Sequence, residues 1–150
     1  MTSSRHPDID VAGSCACEAA VLSVRGRVLA MFLCSCEECQ RATGTGHAAV
    51  ALVNRNSVSI SGETRSFTRP AASGADLTRH FCPVCGTPLF ATTTRAPERL
   101  LLPVGLFGAE SDWFLPNQLI FSRSHREWDT IAAYMPRHLT YRDEGTTASV

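Results

Sequence analysis

Cys34-Ser35-Cys36-Glu37-Glu38-Cys39 places three thiols within six residues, at a C-x-C-x-x-C spacing. Working outward, two more thiols stand upstream at Cys15 and Cys17, and two downstream at Cys82 and Cys85. These are all seven cysteines of the 150-residue chain, and none stands alone. Thiolates grouped in this way are soft ligands, and they suit zinc far better than they suit a hydrophobic core.

The chain as a whole bounds what these thiols do. Lys plus Arg and Asp plus Glu both count 14, for a formal net charge of zero. That balance gives no electrostatic footprint for nucleic acid. No apolar run approaches the roughly 20 residues of a membrane span. Met1-Thr2-Ser3-Ser4-Arg5-His6-Pro7 has no apolar stretch of signal-peptide type. The expectation is a soluble, cytoplasmic protein with no membrane partner. In a reducing compartment clustered cysteine indicates metal binding or catalysis before disulfides, and seven thiols cannot all pair internally.

Away from the cysteines, the pattern is one of short strands. Ala20–Val24 and Val28–Leu33 are apolar runs, and Arg25-Gly26-Arg27 between them reads as the turn of a hairpin that delivers Cys34 at a strand end. Gln40–Gly44 completes one or two helical turns, with Gly44 ending them. Strands are expected over His47–Val53, Ser57–Ile60, Thr64–Arg69, Leu77–Phe81, Leu89–Thr94, Leu100–Phe107 and Leu119–Phe121. Asn54–Asn56, Ser61–Glu63 and the small-residue stretch Pro70–Asp76 separate them. Trp128–Met135 is a further candidate for a helical turn. Residues 1–10 read as a loose polar lead, 11–141 as a single zinc-binding domain, and 142–150 as a flexible tail. The fold class is all-β.

Two groupings of the thiols satisfy zinc. Cys15 and Cys17, at i and i+2 of a strand, point to one face. With Cys82-x-x-Cys85, whose following Gly86 suits a tight turn, they complete a closed Cys₄ tetrahedron. Cys34, Cys36 and Cys39 then remain as three protein ligands with one exchangeable position. Cys36-x-x-Cys39 with Cys82-x-x-Cys85 is an equal alternative by spacing. A zinc held by three thiolates carries a formal charge of about −1, is a weaker Lewis acid than a His₃ zinc, and favours a soft fourth ligand such as a thiolate.

The stretches Gly13-Ser14-Cys15-Ala16-Cys17, Cys34-Ser35-Cys36-Glu37-Glu38-Cys39-Gln40-Arg41-Ala42-Thr43-Gly44 and Phe81-Cys82-Pro83-Val84-Cys85-Gly86-Thr87-Pro88-Leu89 resemble the glutathione-dependent formaldehyde-activating enzyme family. The same domain occurs in centromere protein V. The resemblance runs from about Gly13 to Trp128. It implies an Mss4-like fold of coiled antiparallel sheets and two zincs per chain. Cys15, Cys17, Cys82 and Cys85 would hold a structural zinc, and Cys34, Cys36 and Cys39 a catalytic one. The implied activity is that of a carbon–sulfur lyase, the reversible addition of glutathione to formaldehyde. Ser35 stands where many members carry His, and Leu119 and Glu127 also depart from common residues. A non-catalytic zinc scaffold that binds a partner is the alternative, and a redox or metal-storage role a third.

Individual side chains have a sharp and a bland reading. Ser35 and Arg41 are candidate substrate contacts, Arg41 otherwise a solvated helix residue. Glu37 and Glu38 transfer protons or simply favour the helix dipole. Arg79 and His80 offset the charge of a Cys₄ site or are strand surface. His47 and His125 approach the open zinc or are structural. Trp113 and Trp128 anchor core or loops.

Overall fold

A computed structural model describes residues 6–142. In chain order it contains β1 (Asp8–Ser14), β2 (Val21–Cys34), α1 (Glu37–Thr43), β3 (Ala48–Asn54), β4 (Val58–Ser61), β5 (Arg65–Pro70), β6 (Asp76–Phe81), β7 (Pro88–Thr93), β8 (Arg99–Pro103) and β9 (Leu119–Ile120). Short 3₁₀ turns cover Arg55–Ser57, Val104–Glu110 and Ser122–Ser124. The protein is all-β, as expected, with helix confined to short pieces. The chain packs as two compact units. One comprises the described residues through Ala30 together with Ala51–Trp113; the other comprises Met31–Val50 together with the described residues from Phe114.

In the first unit the strands follow the order β1-β2-β3-β8-β7-β6-β5, and β4 pairs with β2. The β1–β2, β2–β4, β5–β6, β6–β7 and β7–β8 pairs are antiparallel. Alternating residues fill its core: Leu22, Val24 and Val28 from β2, Leu89 from β7, and Leu100 and Leu102 from β8 are all buried. In the second unit the end of β2 runs parallel to β9, with Leu33 opposite Leu119 and Cys34 opposite Ile120. Leu33, Leu119, Ile131 and Met135 form its core, with Ala49 and Phe114 packed against it.

Four expectations change. Arg25-Gly26-Arg27 is not a turn: β2 is one 14-residue strand. β1 pairs along it, with Asp8 opposite Arg27 and Ile9 opposite Gly26. Gly26 serves a close approach, since a Cβ there would lie 2.5 Å from Ser57 Oγ. The same pairing draws Asp8–Asp10, expected to be loose, into a strand. Residues 1–5 and 143–150 lie outside the described part. β8 stops at Pro103, which has no N–H to extend the ladder, and the following residues wind into a 3₁₀ turn. Trp128–Met135 forms turns without helix.

Candidate metal centres

The first unit gathers Cys15, Cys17, Cys82 and Cys85, with all four sulfurs within 4.8 Å of one another. The first pair comes from a turn, not from a strand as expected. β1 ends at Ser14, and Cys15 opens the connection to β2, donating its N–H to Ala20 O (3.0 Å) and accepting from Glu18 N at its carbonyl (2.9 Å). The second pair sits in the β6–β7 turn. Cys82 N bonds Thr87 O at 3.0 Å, and Gly86 N bonds Cys82 O at 2.9 Å with Gly86 at φ 79°. The N–H groups of Val84 and Cys85 point at Cys82 Sγ, at 3.4 and 3.5 Å. Ala16 N bonds Thr87 Oγ1 at 3.1 Å, so the two turns are also joined directly.

The sulfur spacing fits a metal. A regular tetrahedron with zinc–sulfur bonds near 2.3 Å has sulfurs about 3.8 Å apart. Cys15 and Cys17 sulfurs are 3.6 Å apart, and those of Cys17 and Cys82 3.7 Å. The protonation preferences are uneven. Hydrogen bonds from Thr87 bring the Cys85 thiol down to about 5. The Cys17 thiol, against the pull of a backbone hydrogen bond from Ala19, is pushed up to about 12 by desolvation and by Cys15, Cys82 and Cys85. Four sulfurs this close do not all ionise without a cation between them. His80 adds no positive charge. It stacks on Phe90 with ring centroids 4.2 Å apart, and burial, then the charge of Arg55, lowers its pKa.

The second unit gathers Cys34, Cys36 and Cys39, their sulfurs also within 4.8 Å. Cys34 is the last residue of β2 and is buried. Ser35 N continues the register to Ile120 O at 3.0 Å. Cys36 is the N-cap of α1, and its Sγ accepts from Cys39 N at 3.3 Å. Strand end and first helical turn thus bring three sulfurs to one point. The Cys34 thiol is driven far above its ordinary value by its hydrogen bonds to Cys36 and Cys39 and by burial. Ser35 is 0% exposed and its hydroxyl has no hydrogen-bond partner among the described residues, whereas Arg41 is exposed and bonds Glu38 at 2.9 Å.

α1 carries a groove on the face set by i, i+3, i+4 and i+7 spacing. Glu37, Gln40, Arg41 and Gly44 line it, with Thr45, Arg126 and Trp128, around a volume of about 520 Å³. Gln40 holds two carbonyls, Ser35 O at 2.8 Å and Ser124 O at 3.0 Å. Arg126 meets Gln40 Oε1 at 3.1 Å and Glu37 at 3.5 Å. The two helix carboxylates are therefore held in surface ion pairs at the positive end of α1. Trp128 is 69% exposed, so it is a groove wall and not a core anchor. Trp113 anchors its loop through Nε1 to Glu110 O at 2.8 Å.

Neither His47 nor His125 belongs to the three-sulfur group. Both meet Asp129: His47 Nδ1 lies 2.7 Å from its carboxylate, and His125 Nε2 lies 2.6 Å from its carbonyl. Sequence reading gave no role to Asp129, Arg126 or Gln40. The His47 and Asp129 positions are 82 residues apart, and nothing local links them.

An all-β chain whose described residues gather one four-thiol and one three-thiol cluster defines a class of protein able to hold zinc. The family model described as glutathione-dependent formaldehyde-activating enzyme matches residues 10–124, and the chain belongs to that family. A crystal structure of a Rhodobacter sphaeroides protein is similar in fold, with a TM-score of 0.53 at 19% identity over 66% of this chain and 89% of that one. No curated protein shows significant sequence similarity to the chain. Among the described residues no helix is long and apolar enough to cross a membrane.

Proposed function

We propose that the protein is a zinc-dependent carbon–sulfur lyase acting on a thiol–aldehyde adduct, with S-(hydroxymethyl)glutathione as the first substrate to test. Cys15, Cys17, Cys82 and Cys85 hold a structural zinc, and Cys34, Cys36 and Cys39 a catalytic one, giving two per chain. The observation that carries this reading is the composition of the second cluster. It has three sulfurs within 4.8 Å and, among the described residues, no fourth His, Cys, Asp or Glu in the group. The family name supplies the pairing of glutathione with formaldehyde.

Zinc held by this set supplies a Lewis acid with one exchangeable position suited to a thiolate. The chain's own residues do the rest. Cys34 closes the buried side of the site, while half-buried Cys36 and Cys39 leave the other side approachable. The groove along α1 starts from the same short helix as Cys39, and although none of the three cysteines lines it, it offers Arg41 and Arg126 to the carboxylates of the thiol and Trp128 as an apolar wall. Of the two tentative substrate contacts, Arg41 is favoured by its place in the groove and Ser35 disfavoured by its burial. In the synthetic direction the sulfur bonds the aldehyde carbon, the carbonyl π bond opens, and the thiol proton ends on oxygen. Seven free thiols suit a reducing, cytoplasmic setting.

The test is zinc stoichiometry on native protein, then exchange between glutathione and formaldehyde followed by NMR. Two zincs and an exchange rate above the spontaneous one, lost in Cys36→Ser with the fold retained, are expected. One zinc, or two with no acceleration for any thiol tried, refutes the lyase reading in favour of a zinc scaffold.

A further inference from the structure

We propose that the outer edge of β5 receives an extended acidic peptide, which joins the sheet as an added strand. β5 ends the strand order, so one side of its backbone has no neighbouring strand among the described residues. Such an edge is a ready template for main-chain pairing.

The register says what kind of strand fits. Arg65 lies beside Phe81, Phe67 beside Arg79, and Arg69 beside Leu77. Paired and alternate residues share a face, so these six side chains form one patch. It holds three guanidinium groups, two phenyl rings and a leucine, and none of the six is acidic. Phe67 is 63% exposed at its centre. The opposite face of the same strands is different in kind: Thr68 bonds Thr78 at 2.8 Å, and His80 is stacked on Phe90.

A strand laid against β5 sends every second side chain onto the cationic face. Acidic residues there meet Arg65 and Arg69, and an apolar residue between them covers Phe67. The partner pattern is acidic, any, apolar, any, acidic. A second copy of this chain is a poor occupant. Antiparallel self-pairing centred on Phe67 sets Arg65 of one copy against Arg69 of the other, like charges directly opposite. Single-stranded nucleic acid offers negative charge and bases for Phe67, but it has no peptide groups for the free edge. The proposal stands independently of the thiol–aldehyde reading.

The experiment uses the full, zinc-loaded chain and a short fluorescent peptide alternating Glu with Val. The controls are its Lys–Val counterpart, a copy N-methylated on alternate amides, and an oligothymidylate. Anisotropy reports binding, and amide chemical shifts report its place. The Glu–Val peptide is expected to bind and to shift β5 and β6 amides. Binding is expected to weaken about tenfold in Arg65→Glu/Arg69→Glu, as rim charges do, to fall in Phe67→Thr, and to vanish on N-methylation. Zinc content and unfolding temperature verify that the variants fold. No binding of the Glu–Val peptide overturns the proposal. So do equal binding by the N-methylated or Lys–Val peptide, indifference to charge reversal, tighter binding of oligothymidylate, or self-association of the chain.

Discussion

Cys82→Ser and Cys36→Ser are expected to differ in their effect on stability, by an amount that follows from where each cluster sits in the chain. A metal bridging the β1–β2 turn to the β6–β7 turn ties positions 65 residues apart, Cys17 to Cys82. The loop-closure relation for a covalent cross-link assigns such a tie about 4 kcal/mol of unfolded-state entropy at 25 °C. The same relation gives about 2 kcal/mol for the five-residue span from Cys34 to Cys39. Ser at position 36 also retains an acceptor for Cys39 N–H, the cap now made by the sulfur at 3.3 Å. Cys82→Ser should therefore lower unfolding free energy by at least about 2 kcal/mol more than Cys36→Ser. Urea unfolding of both variants beside the parent, with zinc measured on each sample, reads this directly. Equal losses would refute the division into a structural and an open site, as would a greater loss in Cys36→Ser.

Three further outcomes follow from the packing. Leu119→Ala should cost about 2–5 kcal/mol, read by urea unfolding, because Leu119 is fully buried in the core of the second unit. Gly46→Ala should cost about 1–3 kcal/mol, because a methyl there collides with Asp129. It should also shift the His47 ring resonances by disturbing their contact with that carboxylate. His80 has a folded pKa below its ordinary 6.5, from burial and then Arg55. As pH falls through 6.5 the unfolded chain takes up a proton that the folded chain refuses, so stability drops until the lower folded pKa is passed. His80→Asn should flatten that part of the stability–pH curve in unfolding melts taken at stepped pH.

Local chemistry made much of this legible in sequence. The cysteine pairs could be read because ligand spacing within a turn or a helix start is a short-range property; which pairs share a metal could not be read from spacing, and there the family resemblance implied the four and the three that the structure gathers. α1 could be read because Glu37 and Glu38 open it and Gly44, at φ 75°, closes it. β4 to β7 follow from turn residues between alternating runs. Long-range partners defeated the rest. Gly26 looks like a turn until β1 lies beside it. Ile131 and Met135, four apart, have helical spacing, yet both join Leu33 and Leu119 in the core from irregular chain. Cys15 and Cys17 were assigned to a strand, and the hydrogen bond from Cys15 N to Ala20 O bends them into a turn instead. His47 and His125 gave no sign of Asp129, whose position only tertiary packing supplies.

The capping role of Cys36 has a consequence for timing. α1 has seven residues, too few to persist in water by itself, and its first turn leans on Cys36, the Cys39 N–H on the sulfur and the Gln40 N–H on the carbonyl. Whatever engages or oxidises that sulfur also loosens or tightens the helix end, and with it the placement of Glu37, Gln40 and Arg41. The amide protons of Cys39 and Gln40 are thus a built-in reporter: their exchange with deuterated solvent would register events at the thiols before any change in the rest of the fold.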